Sequence, residues 1–153
     1  MKYFIYSETL HPRQLKERAP EATFLHRAYL PDHTLTFPRW SSQWRGGLAS
    51  VTPSIGEQVW GVVFDITPED LKILDQHGEE VPAGAFRHST INVHPEHEAG
   101  QTPSKEMVTT HVATPAGKFK PQDHYIDFVL TGVRHWKLPQ ACVDWWEGQR
   151  PRR

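Results

Sequence analysis

The stretch KYFIYSETLHPRQLKER, residues 2–18, decides the fold that this sequence predicts. Residues 2–6 are apolar enough to predict a strand, and residues 12–19 predict a helix, because Pro12 suits the first helical position, where a missing N–H costs nothing. A strand that runs through a short turn into a helix usually serves to hold an anion. The turn here contains an acid, Glu8, so the first question is what a carboxylate does in that position.

The rest of the chain predicts further groups of strands and helices. Strands are predicted over residues 23–28, 33–37, 48–51, 58–66, 86–93 and 107–113, with turns at 29–32 and 53–56. Residues 38–47 and 94–104 predict exposed loops. A helix is predicted to start at Pro68, with Thr67 as N-cap and Asp70 completing an approximate capping box, and two more over residues 121–137 and 139–147. This order favours an α+β domain with one small, mixed, curved sheet or β-barrel and flanking helices.

Length and composition limit the class of protein. The 153 residues suit one domain, which we place at residues 1–148 with a basic tail at 149–153. Charge is balanced, with 17 Lys+Arg against 18 Asp+Glu, which argues against a nucleic-acid-binding surface. The sequence has no long apolar run, so we expect no membrane partner and a cytoplasmic location. The single cysteine, Cys142, excludes an internal disulfide and reads as a small buried residue.

Four segments resemble the gamma-glutamylcyclotransferase family, small enzymes that cyclise a γ-glutamyl amide to 5-oxoproline and release the amine. The segments are FIYSETLHPRQLKERAP (4–20), LTFPRWSSQWRGGLASVTPSIGEQVWGVVFDITPEDLKILD (35–75), EEVPAGAF (79–86) and PQDHYIDFVLTGVRHWKLP (121–139). They occupy the places of the family's opening strand and Tyr-Gly-Ser-Asn-Leu turn, its Val-Trp-Gly-Val strand, its Glu-Gly-Val loop and its C-terminal helix. The resemblance implies the family's fold and an acyl-transfer reaction without a cofactor.

The resemblance implies that Glu79 is the catalytic base. A γ-glutamyl α-amine must be neutral when it attacks, and a nearby carboxylate can take its proton and later deliver it to the departing amine. The chain reads LDQHGEE (74–80), one residue longer before the glutamate than the family's Leu-Asp-x-x-Glu-Gly. Alignment from Leu-Asp would put Gly78 at the base position, whereas alignment from Phe86 puts Glu79 there. We prefer Glu79, because a loop absorbs an insertion more easily than a strand does, and Glu80 is the alternative.

The substrate-binding turn departs from the family pattern. In the family, backbone N–H groups of this turn hold the substrate's α-carboxylate, and here the turn is Tyr6, Ser7, Glu8, Thr9 and Leu10. Glu8 has three open interpretations. Its carboxylate could occupy the position where the family binds the substrate's α-carboxylate, it could pair with a ligand's ammonium group, or it could be an ordinary surface acid. If it points inward, the expected substrate carries a positive or neutral group at that end.

Two further residues are predicted to contact the substrate. Arg39 lies in the aromatic, arginine-containing stretch 38–47, which could close over a ligand, although ordinary loop solvation is the bland alternative. Tyr125 resembles a family tyrosine that faces the pocket and could donate to a substrate carbonyl. As an alternative it is simply an amphipathic residue in the first turn of a helix.

No metal or cofactor is assigned. The densest histidine cluster, HPEHE at residues 94–98, has a proline between its ligands and lacks a preformed geometry. The partner that we expect is a small γ-glutamyl compound, while the leaving amine, the pathway and the oligomeric state are open. The alternative to the enzyme is a non-catalytic family member that binds a metabolite or a partner protein. A weaker third possibility is a different amide-cleaving reaction in which Glu8 reads a cationic group.

Overall fold

The computed structural model describes residues 1–76 and 82–151. Its strands are β1 (Lys2–Ile5), β2 (Thr23–Ser41), β3 (Gly46–Asp65), β4 (Phe86–Pro95) and β5 (Glu106–Ala113), and its α-helices are α1 (Pro12–Arg18), α2 (Pro68–Asp75), α3 (Asp123–His135) and α4 (Gln140–Glu147). A short 3₁₀ turn, Glu8–Leu10, lies between β1 and α1.

The five strands close into a barrel in the order β1-β3-β2-β4-β5. Strands β1 and β5 are parallel, and all the other neighbouring strands in this order are antiparallel. The barrel is therefore mixed, and the predicted α+β class with a small barrel and flanking helices is confirmed. Within the described residues, no helix is both long and apolar enough to cross a membrane.

Strands β2 and β3 are much longer than the sequence predicts. We predicted turns at residues 29–32 and 53–56, but both lie within one continuous ribbon. The two segments face each other: Pro31 pairs with Gln58 and His33 with Pro53, so that four residues, 54–57, bulge out opposite Asp32. Asp32 has a positive φ of 55°, and its carboxylate accepts from the N–H of Gly56 at 3.0 Å. The turn residues thus make a bulge and not a reversal.

The predicted surface loop at residues 38–47 is also wrong. Strand β2 continues to Ser41 and β3 begins at Gly46, so only a tight turn separates them. Gly46 and Gly47 lie against the 119–120 backbone, where an added Cβ would come within 2.6 Å of the carbonyl oxygens of Lys120 and Phe119. The glycines allow a close backbone approach in a strand, a purpose that composition alone does not distinguish from a flexible loop.

Local signals at the helices agree with the structure. Thr67 and Asp70 form the complete capping box at the start of α2, each side chain accepting from the other's backbone N–H at 3.1 Å. Helix α3 presents one apolar stripe to the barrel, comprising Tyr125, Ile126, Val129, Leu130 and Val133. Arg150 follows α4 and forms ion pairs with Asp123, Asp127 and Glu147, which ties the start of the predicted tail to α3.

Candidate active site

The turn after β1 is fixed in place by helix α3. Its backbone closes with hydrogen bonds from Leu10 N–H to the Ser7 carbonyl and from His11 N–H to the Glu8 carbonyl, both 3.0 Å. Gly132 of α3 lies directly beneath, where a Cβ would come within 2.4 Å of the Leu10 carbonyl carbon. The indole N–H of Trp136 donates to the Leu10 carbonyl oxygen at 2.8 Å. Helix α3 therefore determines the position of the turn and of the side chains that it carries.

Glu8 points into the protein. Its side chain is only 4% exposed, and Oε1 accepts a 2.7 Å hydrogen bond from the Tyr125 hydroxyl. Oε2 lies 3.9 Å from the Arg18 guanidinium, itself mostly buried. Of the three interpretations of Glu8, the surface acid is wrong, because the turn directs the carboxylate onto α3.

Tyr125 and Tyr6 are buried hydrogen-bond donors. Tyr125 also accepts from the Ala49 N–H at 3.1 Å, and Tyr6 donates to the His111 carbonyl oxygen at 2.6 Å. Burial, together with the negative charge of Glu8, raises the pKa of both phenols. Both hydroxyls keep their protons at physiological pH, so they can orient a group but are poor bases.

A small cavity lies beside the turn, at one end of the barrel. Its volume is about 30 Å³, and its lining includes Tyr6, Ser7, Glu8 and Thr9 as well as Ala49, Phe86 and His111.

The other predicted site residues are placed differently. The Thr9 hydroxyl donates to the Gln14 side chain at 3.0 Å, so it links the turn to helix α1. Leu10 is fully buried and, like Arg39 and Tyr125, lies outside the described lining of the cavity. Arg39 instead donates to the Thr114 carbonyl oxygen at 3.2 Å. The structure thus brings together Tyr6, Glu8 and Tyr125, but does not bring Arg39 to them.

The candidate base Glu79 and its alternatives Glu80 and Gly78 lie outside the described residues. Their assignment stays a prediction from the sequence.

Cys142 is buried as expected, and burial raises the pKa of its thiol to about 12, which removes it as a nucleophile.

A larger cavity of about 230 Å³ lies between the β2–β3 ribbon and α4. Trp60, Cys142 and Trp145 are among its lining residues, and of the predicted site residues that the structure describes none is. We assign the candidate site to the smaller cavity, because that is where buried polar groups converge.

A polar cluster next to the smaller cavity has no counterpart among the residues predicted from the sequence. His111, which lines the cavity, contacts the Tyr3 hydroxyl through Nδ1 and Asp75 through Nε2, and Asp75 also contacts His88. These residues come from separate strands and helices and share no spacing motif. Only the pairing of β4 with β5 brings the two histidines together.

Comparison with known proteins identifies the family of this fold. The model of the AIG2-like family matches residues 58–146, more than half of the chain. The chain belongs to the AIG2-like family. A mouse protein named gamma-glutamylcyclotransferase is 29% identical over 142 residues, covering 90% of this chain and 72% of its own length. The human protein of that name is 28% identical over 141 residues, with the same coverage.

A solved structure titled gamma-glutamyl cyclotransferase superposes with a TM-score of 0.87 at 25% identity, over 99% of this chain and 89% of that one. The predicted resemblance to the gamma-glutamylcyclotransferase family is confirmed. Membership of this AIG2-like family supports a cyclotransferase-type function. The substrate and the residues that act on it are the subject of the proposal that follows.

Proposed function

We propose that this AIG2-like chain is an enzyme that cyclises a small γ-glutamyl amide or amine to a 5-oxoproline ring and releases the amine. The observation that carries the proposal is the buried carboxylate of Glu8, which lines a cavity together with Tyr6 and accepts from Tyr125, at the turn that resembles the family's substrate-binding turn. Similarity to proteins named gamma-glutamylcyclotransferase supports the same reaction class.

The reaction is an intramolecular aminolysis. The α-nitrogen of the substrate forms a bond to the γ-carbonyl carbon, and the bond from that carbon to the departing nitrogen breaks. One proton leaves the α-nitrogen and one arrives on the departing amine, so a single carboxyl group can serve as base and then as acid. Holding the chain folded, with the amine against the carbonyl, supplies much of the acceleration.

Glu79 is the group that we assign to this proton transfer, with Glu80 as the alternative. Two phenols and the thiol are unsuitable for this transfer: the raised pKa of Tyr6 and Tyr125 keeps these phenols protonated, and Cys142 lines the larger cavity. The Tyr125 hydroxyl is then free to help orient a substrate carbonyl only if it exchanges its hydrogen bond with Glu8.

Glu8 determines which end of a substrate the turn accepts. A second carboxylate placed against a buried carboxylate is disfavoured by several kcal/mol, because like charges repel strongly where water is excluded. A neutral or positively charged group meets no such penalty. We therefore propose that the substrate presents to Glu8 an uncharged group, such as a carboxamide, or its own ammonium group. Ser7 and Thr9 would line the same end, and Arg39 would act from outside the described lining of the cavity.

The proposed reaction is tested by product formation from a panel of γ-glutamyl amines and peptides. Purified protein is incubated with each compound, and the released amine and the ring product are measured by mass spectrometry. Glu79→Gln should lower kcat by roughly 10²- to 10⁴-fold, as expected for loss of a general acid–base group. Glu80→Gln, its matched neighbour, should leave kcat nearly unchanged.

The outcomes separate the parts of the proposal. If Glu80→Gln abolishes turnover and Glu79→Gln does not, the base is Glu80 and the assignment of Glu79 is wrong. If no compound in the panel yields product with the wild-type protein while some bind at equilibrium, the enzymatic proposal fails. That result would favour a non-catalytic member that binds a small metabolite.

A further inference from the structure

We propose that Asp75, His88 and His111 form a binding site for a divalent transition-metal ion of the Zn²⁺ class. The three donor atoms, one from each side chain, all lie within 4.8 Å of one another. The proposal goes beyond the cyclotransferase reaction and does not depend on it, because the ion is given no part in that chemistry.

The barrel itself aligns the two imidazoles. His88 of β4 and His111 of β5 are direct cross-strand partners, so their side chains leave the same face of the sheet side by side. Their ring centroids are 6.0 Å apart with the planes at 83°. A cross-strand pair is held by the hydrogen bonds of both strands, so the two nitrogens are positioned before any ion arrives.

The third donor is supplied by the end of helix α2. Asp75 is the last residue of α2, and its Oδ1 lies 2.8 Å from His88 Nδ1 and 2.8 Å from His111 Nε2. To coordinate an ion, His88 Nδ1 and His111 Nε2 must carry no proton, so each ring then holds its proton on the other nitrogen, which in His111 is the Nδ1 that contacts the Tyr3 hydroxyl.

Small movements would convert these contacts into coordination. Ligand atoms at about 2.0–2.1 Å from a tetrahedral Zn²⁺ are roughly 3.3 Å apart, so Asp75 Oδ1 would separate from each imidazole nitrogen by about half an ångström, and the two nitrogens, which lie within 4.8 Å of each other, would adjust to the same spacing. Asp75 and His88 can make this adjustment, since their side chains are 39% and 50% exposed. Their exposure also leaves room for a water molecule as the fourth ligand.

His111, the buried member of the cluster, is oriented by a hydrogen bond, as metal-binding histidines usually are. His111 is 7% exposed at the side chain, and its Nδ1 contacts the Tyr3 hydroxyl. A hydrogen bond at one ring nitrogen fixes the orientation of the ring and leaves the other nitrogen directed at the ion. Two imidazoles and one carboxylate are donors that suit Zn²⁺, Co²⁺ or Ni²⁺ and do not suit Mg²⁺ or Ca²⁺.

The test is a titration of untagged full-length protein with ZnCl₂ by isothermal calorimetry. Wild-type protein is expected to bind one equivalent, with chemical-shift changes of the His88 and His111 ring nitrogens in NMR spectra. His88→Ala and Asp75→Asn should each weaken binding at least tenfold. Because His88 is half-exposed, its replacement should leave the fold intact, which circular dichroism checks.

The matched control is His97→Ala, in the histidine-containing segment after β4. It removes a half-buried imidazole, which contacts the Tyr29 hydroxyl and not the cluster, and should leave the affinity for Zn²⁺ unchanged. The proposal is overturned if the wild-type protein shows no saturable binding of Zn²⁺. It is equally overturned if His88→Ala and Asp75→Asn bind the ion as tightly as wild type, since the ion would then lie elsewhere.

Discussion

Glu8 and Asp75 are two carboxylates near the same end of the barrel, and they are held in opposite ways. Glu8 lines the cavity, is nearly inaccessible to water, and accepts from the hydroxyl of Tyr125. Asp75 is 39% exposed and contacts two histidines, His88 and His111, of which His111 lines that cavity. The first is fixed by backbone packing against α3, and the second by one buried imidazole, His111, and one half-exposed imidazole, His88.

The difference shows that one acid shapes the interior while the other can change its partners. A buried carboxylate that loses a donor keeps the cost of its desolvation, so its surroundings must stay intact. A half-exposed carboxylate can exchange a protein donor for water or for an ion at little cost. We therefore expect changes around Glu8 to affect stability and substrate choice, and changes around Asp75 to affect ion binding.

The largest effect on stability is expected from Gly132→Ala. An added methyl group would press on the Leu10–His11 backbone, with approaches of 2.4 Å to Leu10 C and 2.6 Å to His11 N. Overpacking against backbone should lower the free energy of unfolding by about 3 kcal/mol. Urea denaturation measures it. Gly148→Ala is the control, because Gly148 has ordinary helical angles and nearest approaches of 3.3 Å. An equal loss in both variants would contradict the tight packing of the turn on α3.

A smaller but clear loss is expected from Tyr125→Phe. The change removes the donor to Glu8 and the acceptor of the Ala49 N–H without altering the ring. Leaving these buried groups without a partner should lower the free energy of unfolding by about 2 kcal/mol. Tyr29→Phe removes a half-buried hydroxyl that contacts His97 and should have less than half this effect. If Tyr125→Phe is neutral, Glu8 is not held in the way described.

The smallest effect on stability is expected from His88→Ala. Without metal, the variant loses one exposed contact to Asp75, and the free energy of unfolding should change by less than about 0.5 kcal/mol. Denaturation in the presence of EDTA is the appropriate measurement. A loss as large as that of Tyr125→Phe would remove the distinction between the interior and the surface carboxylate.

The sequence predicted those parts of the fold that depend on local signals. The opening strand, the capping box of Thr67 and Asp70 and the apolar stripe of α3 follow from propensity, capping chemistry and periodicity. The continuous β2–β3 ribbon does not follow from local signals, because Asp32 and residues 53–56, each taken alone, predict turns. Only their pairing across the ribbon makes them a bulge. Turn residues report local backbone geometry and not whether the chain reverses.

The candidate site divides along the same line. The resemblance to the family indicates Tyr6, Glu8 and Tyr125 from the sequence, but the direction of Glu8 depends on Gly132 and Trp136, more than 120 residues away. The cluster of Asp75, His88 and His111 has no sequence signature at all. It exists because β4 and β5 pair in one register and α2 ends beside them.

The most direct test of the account is substrate preference at Glu8. Release of the amine is measured for paired γ-glutamyl compounds that differ only in a free α-carboxylate or an α-carboxamide, with wild-type protein and Glu8→Ser. The account predicts that wild type prefers the carboxamide, and that Glu8→Ser raises the relative kcat/KM for the free carboxylate by roughly tenfold to a hundredfold. A wild-type preference for the free carboxylate that Glu8→Ser leaves unchanged would contradict it.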